Sequence, residues 1–182
     1  TIYIMDLNLV GLNHKTAPIE IREKFVFSHD MLSHVLNDLK SKTGAEALIL
    51  STCNRTEIYF KVKDPKEIYQ WLATFNQIKF TELKKYLYMF SNQDCYVHAC
   101  KVASGLDSML IGETQIFGQM KQASQIAHLS GVQGKFINRF FQDVFRTAKL
   151  VRTKTQIGSS PTTIASCALS MAKKIFGEIN QT

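Results

Sequence analysis

The chain has 182 residues, enough for one domain or for one domain and a piece of the next, and 45% of them are apolar. This composition excludes a disordered or fibrous protein, and no apolar run approaches the roughly 20 residues of a bilayer span. The formal net charge of +7 and the pI near 9.2 favour an acidic partner, of which nucleic acid is the commonest. We expect a soluble cytoplasmic protein.

The amino-terminal half predicts strands that alternate with helices. Residues 7–13 predict a strand, and residues 19–25 predict one or two helical turns after a turn that ends at Pro18. Ser28 predicts the N-cap of a helix that carries apolar residues at helical spacing and ends at Gly44. Two more strands are predicted, at 45–50 and 57–62. Only residues 51–56 separate them, so they are expected to form an antiparallel pair.

The second half is mainly helical. Pro65 predicts the opening of a helix, and an edge strand is expected at 86–90. Three helices are predicted after it, at 92–102 with Asn92 as the cap, at 113–129 with Gly131 and Gly134 as terminators, and at 136–151. The last helix has a basic face that is either solvated or in contact with RNA: Lys135, Arg139, Arg146 and Lys149.

This order of elements predicts an α+β fold, with a small antiparallel sheet and packed helices of βαβ type, followed by long amphipathic helices. Residues 1–157 are expected to form one domain. Residues 158–161 resemble a linker, and residues 162–176 predict one more helix, so that 158–182 would lead into a second domain.

The segment 51–57, with the sequence Ser-Thr-Cys-Asn-Arg-Thr-Glu, carries the most chemical information. It joins two strands, where a rigid scaffold presents side chains at a surface or cleft. Arg55 lies two residues from Cys53, and a nearby cation favours the nucleophilic thiolate, whose natural target is an ester or thioester carbonyl. Taken alone, the segment is more typical of a tight polar turn with a cysteine present by chance. The other cysteines, Cys95, Cys100 and Cys167, fit no zinc pattern, and no metal site is predicted.

Three separated blocks, at 11–18, 51–57 and 103–121, together resemble the amino-terminal catalytic domain of the glutamyl-tRNA reductase family. The resemblance covers about residues 5–176, with Met5 at the place of the family's first methionine. It departs from the family pattern at Thr114, where proline is usual. The family reduces glutamyl-tRNA to glutamate-1-semialdehyde with NADPH, the first committed step of tetrapyrrole (porphyrin) synthesis from glutamate.

The resemblance implies roles for individual residues. Cys53 would attack the aminoacyl ester and form a thioester, and His98 would exchange protons with the leaving ribose hydroxyl or the thiol. Taken alone, His98 is more typical of a structural residue. Arg55 would bind the glutamyl carboxylate and Glu113 the α-ammonium group. The full set implied to bind substrate is Thr52, Asn54, Arg55, Ser108, Glu113, Thr114, Gln115 and Gln119. No catalytic role is assigned to His14 or Lys15.

No G-x-G-x-x-G fingerprint follows a predicted strand, so the NADPH site is expected to lie outside this chain, which would be truncated before the NADPH-binding domain. Two hypotheses follow: a fragment limited to acyl transfer or ester hydrolysis, or a non-catalytic module that binds tRNA or a protein partner. By family analogy the whole enzyme is a homodimer, with glutamate-1-semialdehyde aminotransferase as a further partner. A weaker hypothesis is haem feedback through a free thiol, Cys100 or Cys167.

Overall fold

A computed structural model describes residues 6–155 and 157. Its strands form one antiparallel sheet in the order β2-β3-β1-β4. The strands are β1 (Asn8–Asn13), β2 (Glu46–Ser51), β3 (Arg55–Lys61) and β4 (Tyr88–Ser91). The helices are α1 (Ile19–Arg22), α2 (His29–Thr43), α3 (Pro65–Phe75), α4 (Phe80–Leu83), α5 (Asn92–Ala103), α6 (Gln115–Leu129) and α7 (Gly134–Lys154). The predicted α+β class, the antiparallel β2–β3 pair and the edge position of the fourth strand are confirmed.

The four described strands and the helices between them follow the βαββαβ order of a ferredoxin-like split βαβ unit. Helix α2 packs against β2 and α3 on one face, while α5, α6 and α7 cover the other face. The central strands are therefore buried on both sides, and every residue of β1 lies in the interior. Tyr59 of β3 packs edge-on against Phe141 of α7, with ring centroids 5.1 Å apart. Within the described residues, no helix is both long and apolar enough to span a bilayer.

The sheet register places three site residues side by side. Gly11 of β1 lies opposite Glu57 of β3 on one side and opposite Tyr88 of β4 on the other. Since side chains of directly paired residues project from the same face, these three positions share the face that α5 covers. Helix α5 follows β4 without an intervening loop, and it contacts both β4 and β1. This arrangement fixes which part of α5 approaches Glu57.

Two predicted helix boundaries are wrong. Asn92 does not cap α5; it is the first helical residue, Ser91 holds the N-cap position, and the direct junction between strand and helix requires a φ of 51° at Asn92. Gly134 does not end α6 but begins α7. A Cβ there would overlap the carboxylate of Glu46, which accepts hydrogen bonds from the Phe136 and Ile137 amides at the start of α7.

The remaining helix predictions differ little from the structure. Helix α6 starts at Gln115 rather than at residue 113. Gly44 ends α2 in the left-handed conformation, as expected from a glycine C-cap. The predicted linker at 158–161 and helix at 162–176 lie outside the described residues.

Candidate active site

The connection between β2 and β3 is a tight turn that presents Cys53 to solvent. The Thr52 amide donates to the Arg55 carbonyl at 2.8 Å, and the Thr52 hydroxyl oxygen accepts from the Asn54 and Arg55 amides at 3.2 Å each. Arg22 donates to the Cys53 carbonyl at 2.9 Å. The backbone on both sides of Cys53 is thus held by hydrogen bonds, while its side chain remains exposed. An exposed thiol on a fixed turn is accessible to a large substrate.

A buried carboxylate lies beneath this turn. Glu57 is fully buried, and its Oε1 atom accepts from Arg55 Nη1 at 2.8 Å, from the Tyr88 hydroxyl at 2.6 Å and from His98 Nε2 at 2.8 Å. Its Oε2 atom accepts from the Tyr59 hydroxyl at 2.6 Å. A buried charge is tolerated only when it is paired and hydrogen-bonded, and four donors meet that requirement here.

The pKa values in this cluster follow from the pairing. Burial alone would raise the pKa of Glu57, but the hydrogen bond from His98 and the positive charge of Arg55 outweigh it and lower this pKa to about 2. Burial and the adjacent Glu57 charge raise the pKa values of Tyr59 and Tyr88, so both phenols stay protonated and donate. Burial would lower the pKa of Arg55, but Glu57 outweighs that effect and the guanidinium remains charged.

The ionised state of Glu57 fixes the role of His98. Because a carboxylate only accepts hydrogen bonds, Nε2 of His98 carries the hydrogen in this contact. In the neutral ring the lone pair is then on Nδ1, the nitrogen that can accept a proton. The ring is half-buried between Tyr88 and Phe90, with centroid distances of 5.4 and 4.9 Å, so its orientation is fixed by packing as well.

Gly11 creates the space for this cluster. A Cβ at Gly11 would lie 2.9 Å from Cγ of Glu57 and 3.0 Å from Cζ of Tyr88, closer than carbon atoms approach without a shift. The middle strand therefore leaves a gap into which a carboxylate and a phenol from its two neighbours converge. The first sequence block, residues 11–18, thus contributes to the site because its first residue, Gly11, has no side chain.

The third block reaches the site through Asp107. Its side chain accepts from Arg55 Nη2 at 3.1 Å, its carbonyl accepts from the same nitrogen at 2.5 Å, and Lys15 pairs with its carboxylate at 2.5 Å. Burial would raise the pKa of Asp107, but the bond from Lys15 and the Arg55 charge lower it. Ion pairs around Arg55 thus join all three blocks, at Lys15, Arg55 and Asp107.

The other predicted substrate residues flank this cluster. Ser108 is buried in the loop between α5 and α6, next to Asp107. That loop closes where the Gly112 amide donates to the Gly105 carbonyl at 2.9 Å, which places Glu113 directly against Gly105. Thr114 holds the N-cap position of α6 and is exposed, as is Gln115, while Gln119 is half-buried one turn further along. Among the described hydrogen bonds, none joins these side chains to the Glu57 cluster.

Sequence reasoning missed the two residues at the centre of the cluster, Glu57 and Asp107. The only sequence signal for Glu57 was an acidic residue directly before the apolar run Ile58–Phe60, with Arg55 two residues away as a possible partner. Asp107 carried no such signal, because a loop aspartate is usually solvated. His14 and Lys15 do lie at the site: the His14 amide donates to the Asn54 carbonyl at 3.0 Å, and burial with the nearby Arg55 charge lowers the pKa of His14.

Comparison with known proteins agrees with this convergence of three blocks. The sequence matches the family described as "Glutamyl-tRNAGlu reductase, N-terminal domain" over residues 10–155. The chain belongs to this family. Glutamyl-tRNA reductase from Nitrosomonas europaea is 44% identical over 178 residues, which cover 97% of this chain and 43% of that protein. The enzyme from Neisseria meningitidis serogroup B is 45% identical over 176 residues, covering 96% and 42% of the two sequences.

A solved structure shows the same fold. Glutamyl-tRNA reductase from Methanopyrus kandleri superposes with a TM-score of 0.75 at 27% identity, covering 94% of this chain and 40% of that one. The present chain therefore spans less than half the length of the glutamyl-tRNA reductases that it matches. Within the family, it corresponds to the amino-terminal domain.

Proposed function

We propose that this chain performs the acyl-transfer half of the glutamyl-tRNA reductase reaction, with Cys53 as nucleophile. The Cys53 thiolate forms a carbon–sulfur bond to the ester carbonyl of glutamyl-tRNA, and the bond to the ribose oxygen breaks. The glutamyl group remains on the enzyme as a thioester, and the tRNA leaves with a free hydroxyl that takes up one proton. The observation that supports this best is an exposed cysteine on a turn fixed by hydrogen bonds, two residues before Arg55 of the buried cluster of charges.

The buried cluster supports a proton-transfer role for His98. Glu57 holds the hydrogen on Nε2, so Nδ1 of the neutral ring is free to take the thiol proton and return it to the leaving ribose oxygen. Within the described hydrogen bonds, His98 is linked to the Cys53 turn through Glu57 and Arg55 rather than directly. We therefore assign Glu57 as the residue that positions His98.

Arg55 is the proposed contact for the side-chain carboxylate of the substrate. In the free chain its Nη1 binds the fully buried Glu57, and its Nη2 binds the less buried Asp107. A glutamyl carboxylate would replace the Asp107 carboxylate, which approaches from the solvent-facing loop, and leave the Glu57 pair intact. Arg55 would then stay charge-balanced throughout, as burial requires. Glu113, Gln115 and Gln119 remain the proposed contacts for the rest of the glutamyl group and the adjacent ribose.

A Rossmann-type NADPH site does not fit the part of the chain that the structure describes. Such a site needs a glycine-rich turn between a parallel strand and a helix, whose amino terminus binds the pyrophosphate. The sheet here is antiparallel, and β4 passes directly into α5 at Ser91 and Asn92. For the whole enzyme, the proposal includes NADPH bound by other parts of the protein, a homodimer, a cytoplasmic location, a role in tetrapyrrole synthesis and transfer of product to glutamate-1-semialdehyde aminotransferase.

The deciding experiment uses tRNA charged with radiolabelled glutamate and no NADPH. Wild-type chain should lose label from tRNA and carry it as a hydroxylamine-sensitive adduct, whereas Cys53→Ser should not. Cys100→Ser is the matched control, because Cys100 is a half-buried thiol on α5, and it should behave as wild type. Equal deacylation by Cys53→Ser would refute the nucleophile. An intact ester with retained tRNA binding in all three proteins would instead favour the second hypothesis, a non-catalytic tRNA-binding module.

A further inference from the structure

A polar groove lies between α6 and α7, away from the Cys53 cluster. Its volume is about 740 Å³, and the residues that line it include Lys121, Gln125, Gln142, Arg146 and Lys149. None of the described residues lining it is acidic. Lining positions recur at helical spacing on each of the two helices, so the groove is formed by two facing helix surfaces rather than by loops.

The cations lie at the end of the groove nearer the active site. Only residues 130–133 join the two helices, so α6 and α7 are antiparallel neighbours with His128 and Asn138 at the joined end. Phe117 near the start of α6 contacts Phe145 of α7 edge-on, with centroids 5.7 Å apart. Lys121, Arg146 and Lys149 therefore cluster toward the start of α6, where the Glu113–Gln115 segment borders the site.

Helix geometry gives the distance from the site. Lys121 follows Gln115 by six residues, and a rise of 1.5 Å per residue separates them by about 9 Å along the axis. Within α6 and α7 the one carboxylate is Asp143, which pairs with Arg146 at 3.0 Å on the exposed surface of α7. Positive charge, amide side chains and the absence of lining carboxylates suit a sugar–phosphate backbone, since Lys and Arg bind phosphates and amides bind sugar hydroxyls.

We propose that this groove binds the phosphate backbone of the substrate tRNA next to its aminoacylated end. The inference rests on the proposed function, which places the aminoacyl ester at Cys53; Lys121 lies on α6, whose first residue, Gln115, is a proposed substrate contact. The groove contributes affinity rather than sequence readout, as phosphate contacts do. Of the basic residues on α7, Arg146 and Lys149 would contact the RNA backbone, whereas Lys135 lies outside the groove lining.

The test measures binding of fluorescein-labelled, uncharged tRNA to the 182-residue chain over a range of salt concentrations. The groove variant is K121Q/R146Q/K149Q. The matched control, K66Q/K84Q/K85Q, removes three exposed lysines on the α3–α4 side of the sheet. Each lost phosphate contact lowers the slope of log affinity against log salt by roughly 0.7–0.9, so the groove variant should lose about 2 units of slope. When salt rises from about 50 to about 200 mM, the affinity of wild type should therefore fall by a factor roughly 16 times larger than the factor for the groove variant.

Wild-type affinity and slope in the groove variant, or an equal loss in the control, would overturn the proposal. So would a groove variant that keeps tRNA binding but loses binding of polyaspartate, which would assign the groove to an acidic protein. If circular dichroism shows that the triple variant is unfolded, Lys149→Gln alone should reduce the slope by about 1 unit. Since uncharged tRNA has no ester, this result is independent of Cys53 chemistry.

Discussion

Replacing Glu57 by glutamine removes the charge at the centre of the site and preserves its shape. A glutamine amide offers one acceptor oxygen and an NH₂ group that only donates, whereas Glu57 receives four donors. Donors from Arg55, Tyr88 and His98 share one carboxylate oxygen, so the substitution leaves some of them facing another donor or without a partner. Arg55 is only 2% exposed and would keep Asp107 as its remaining counter-charge.

Removing one partner of a buried ion pair costs about 3–5 kcal/mol. Here Asp107 still offsets part of the Arg55 charge, and the donors left without an acceptor add to the loss. We expect a loss of that size in the free energy of unfolding, measured by urea titration, a large part of the roughly 5–15 kcal/mol typical of a domain. Glu82→Gln, an exposed change on α4, should stay within about 0.5 kcal/mol of wild type. In a double-mutant cycle, Arg55→Met combined with Glu57→Gln should cost less than the sum of the single changes. A Glu57→Gln loss below about 1 kcal/mol would refute the assignment of Glu57 as a paired, buried charge.

Three further predictions concern the same region. Gly11→Ala should lower the free energy of unfolding by about 1–3 kcal/mol, since its Cβ would contact Glu57 and Tyr88; a raised thermal midpoint would contradict this. The unfolded chain takes up the Glu57 proton at a higher pH than the folded chain, so stability should fall by up to about 3 kcal/mol as pH drops from about 5 to about 2. Urea titration of Glu57→Gln should lack this component, and an unchanged pH profile would exclude Glu57 as its source. Iodoacetamide labelling followed by peptide mass spectrometry should modify exposed Cys53 well before Cys95, which is buried and whose pKa burial raises; equal rates would contradict the structure.

Periodicity and turn signals predicted the sheet and most helices because each of those elements follows local rules. The spacing of Leu32, Val35, Leu36 and Leu39 determines which face of α2 is buried, and Gly44 ends the helix as a left-handed cap. The errors at Asn92 and Gly134 have tertiary causes. Asn92 adopts its conformation because β4 meets α5 directly. Gly134 begins α7 because Glu46, far away in sequence, caps that helix.

The candidate site was predictable where family resemblance marked a residue and unpredictable where the role depends on register. The resemblance named Cys53, Arg55 and His98, and in the structure Arg55 and His98 both bind Glu57. The convergence of Gly11, Glu57 and Tyr88 follows from strand pairing, which a local sequence pattern does not specify. Asp107 contributes through a contact with Arg55, 52 positions away in the sequence. Such a contact produces no periodic pattern from which it could be predicted.

The attachment of the α5–α6 loop to Arg55 has a consequence for motion. Gly105, at a φ of 79°, holds the loop closed on itself, and Asp107 ties it to the sheet. In the proposed function a substrate carboxylate displaces Asp107, and the loop loses that tie at the moment the site fills. Filling the site would therefore make the α5–α6 loop less ordered. The loop amides should exchange hydrogen for deuterium faster in the acyl-enzyme than in the free chain.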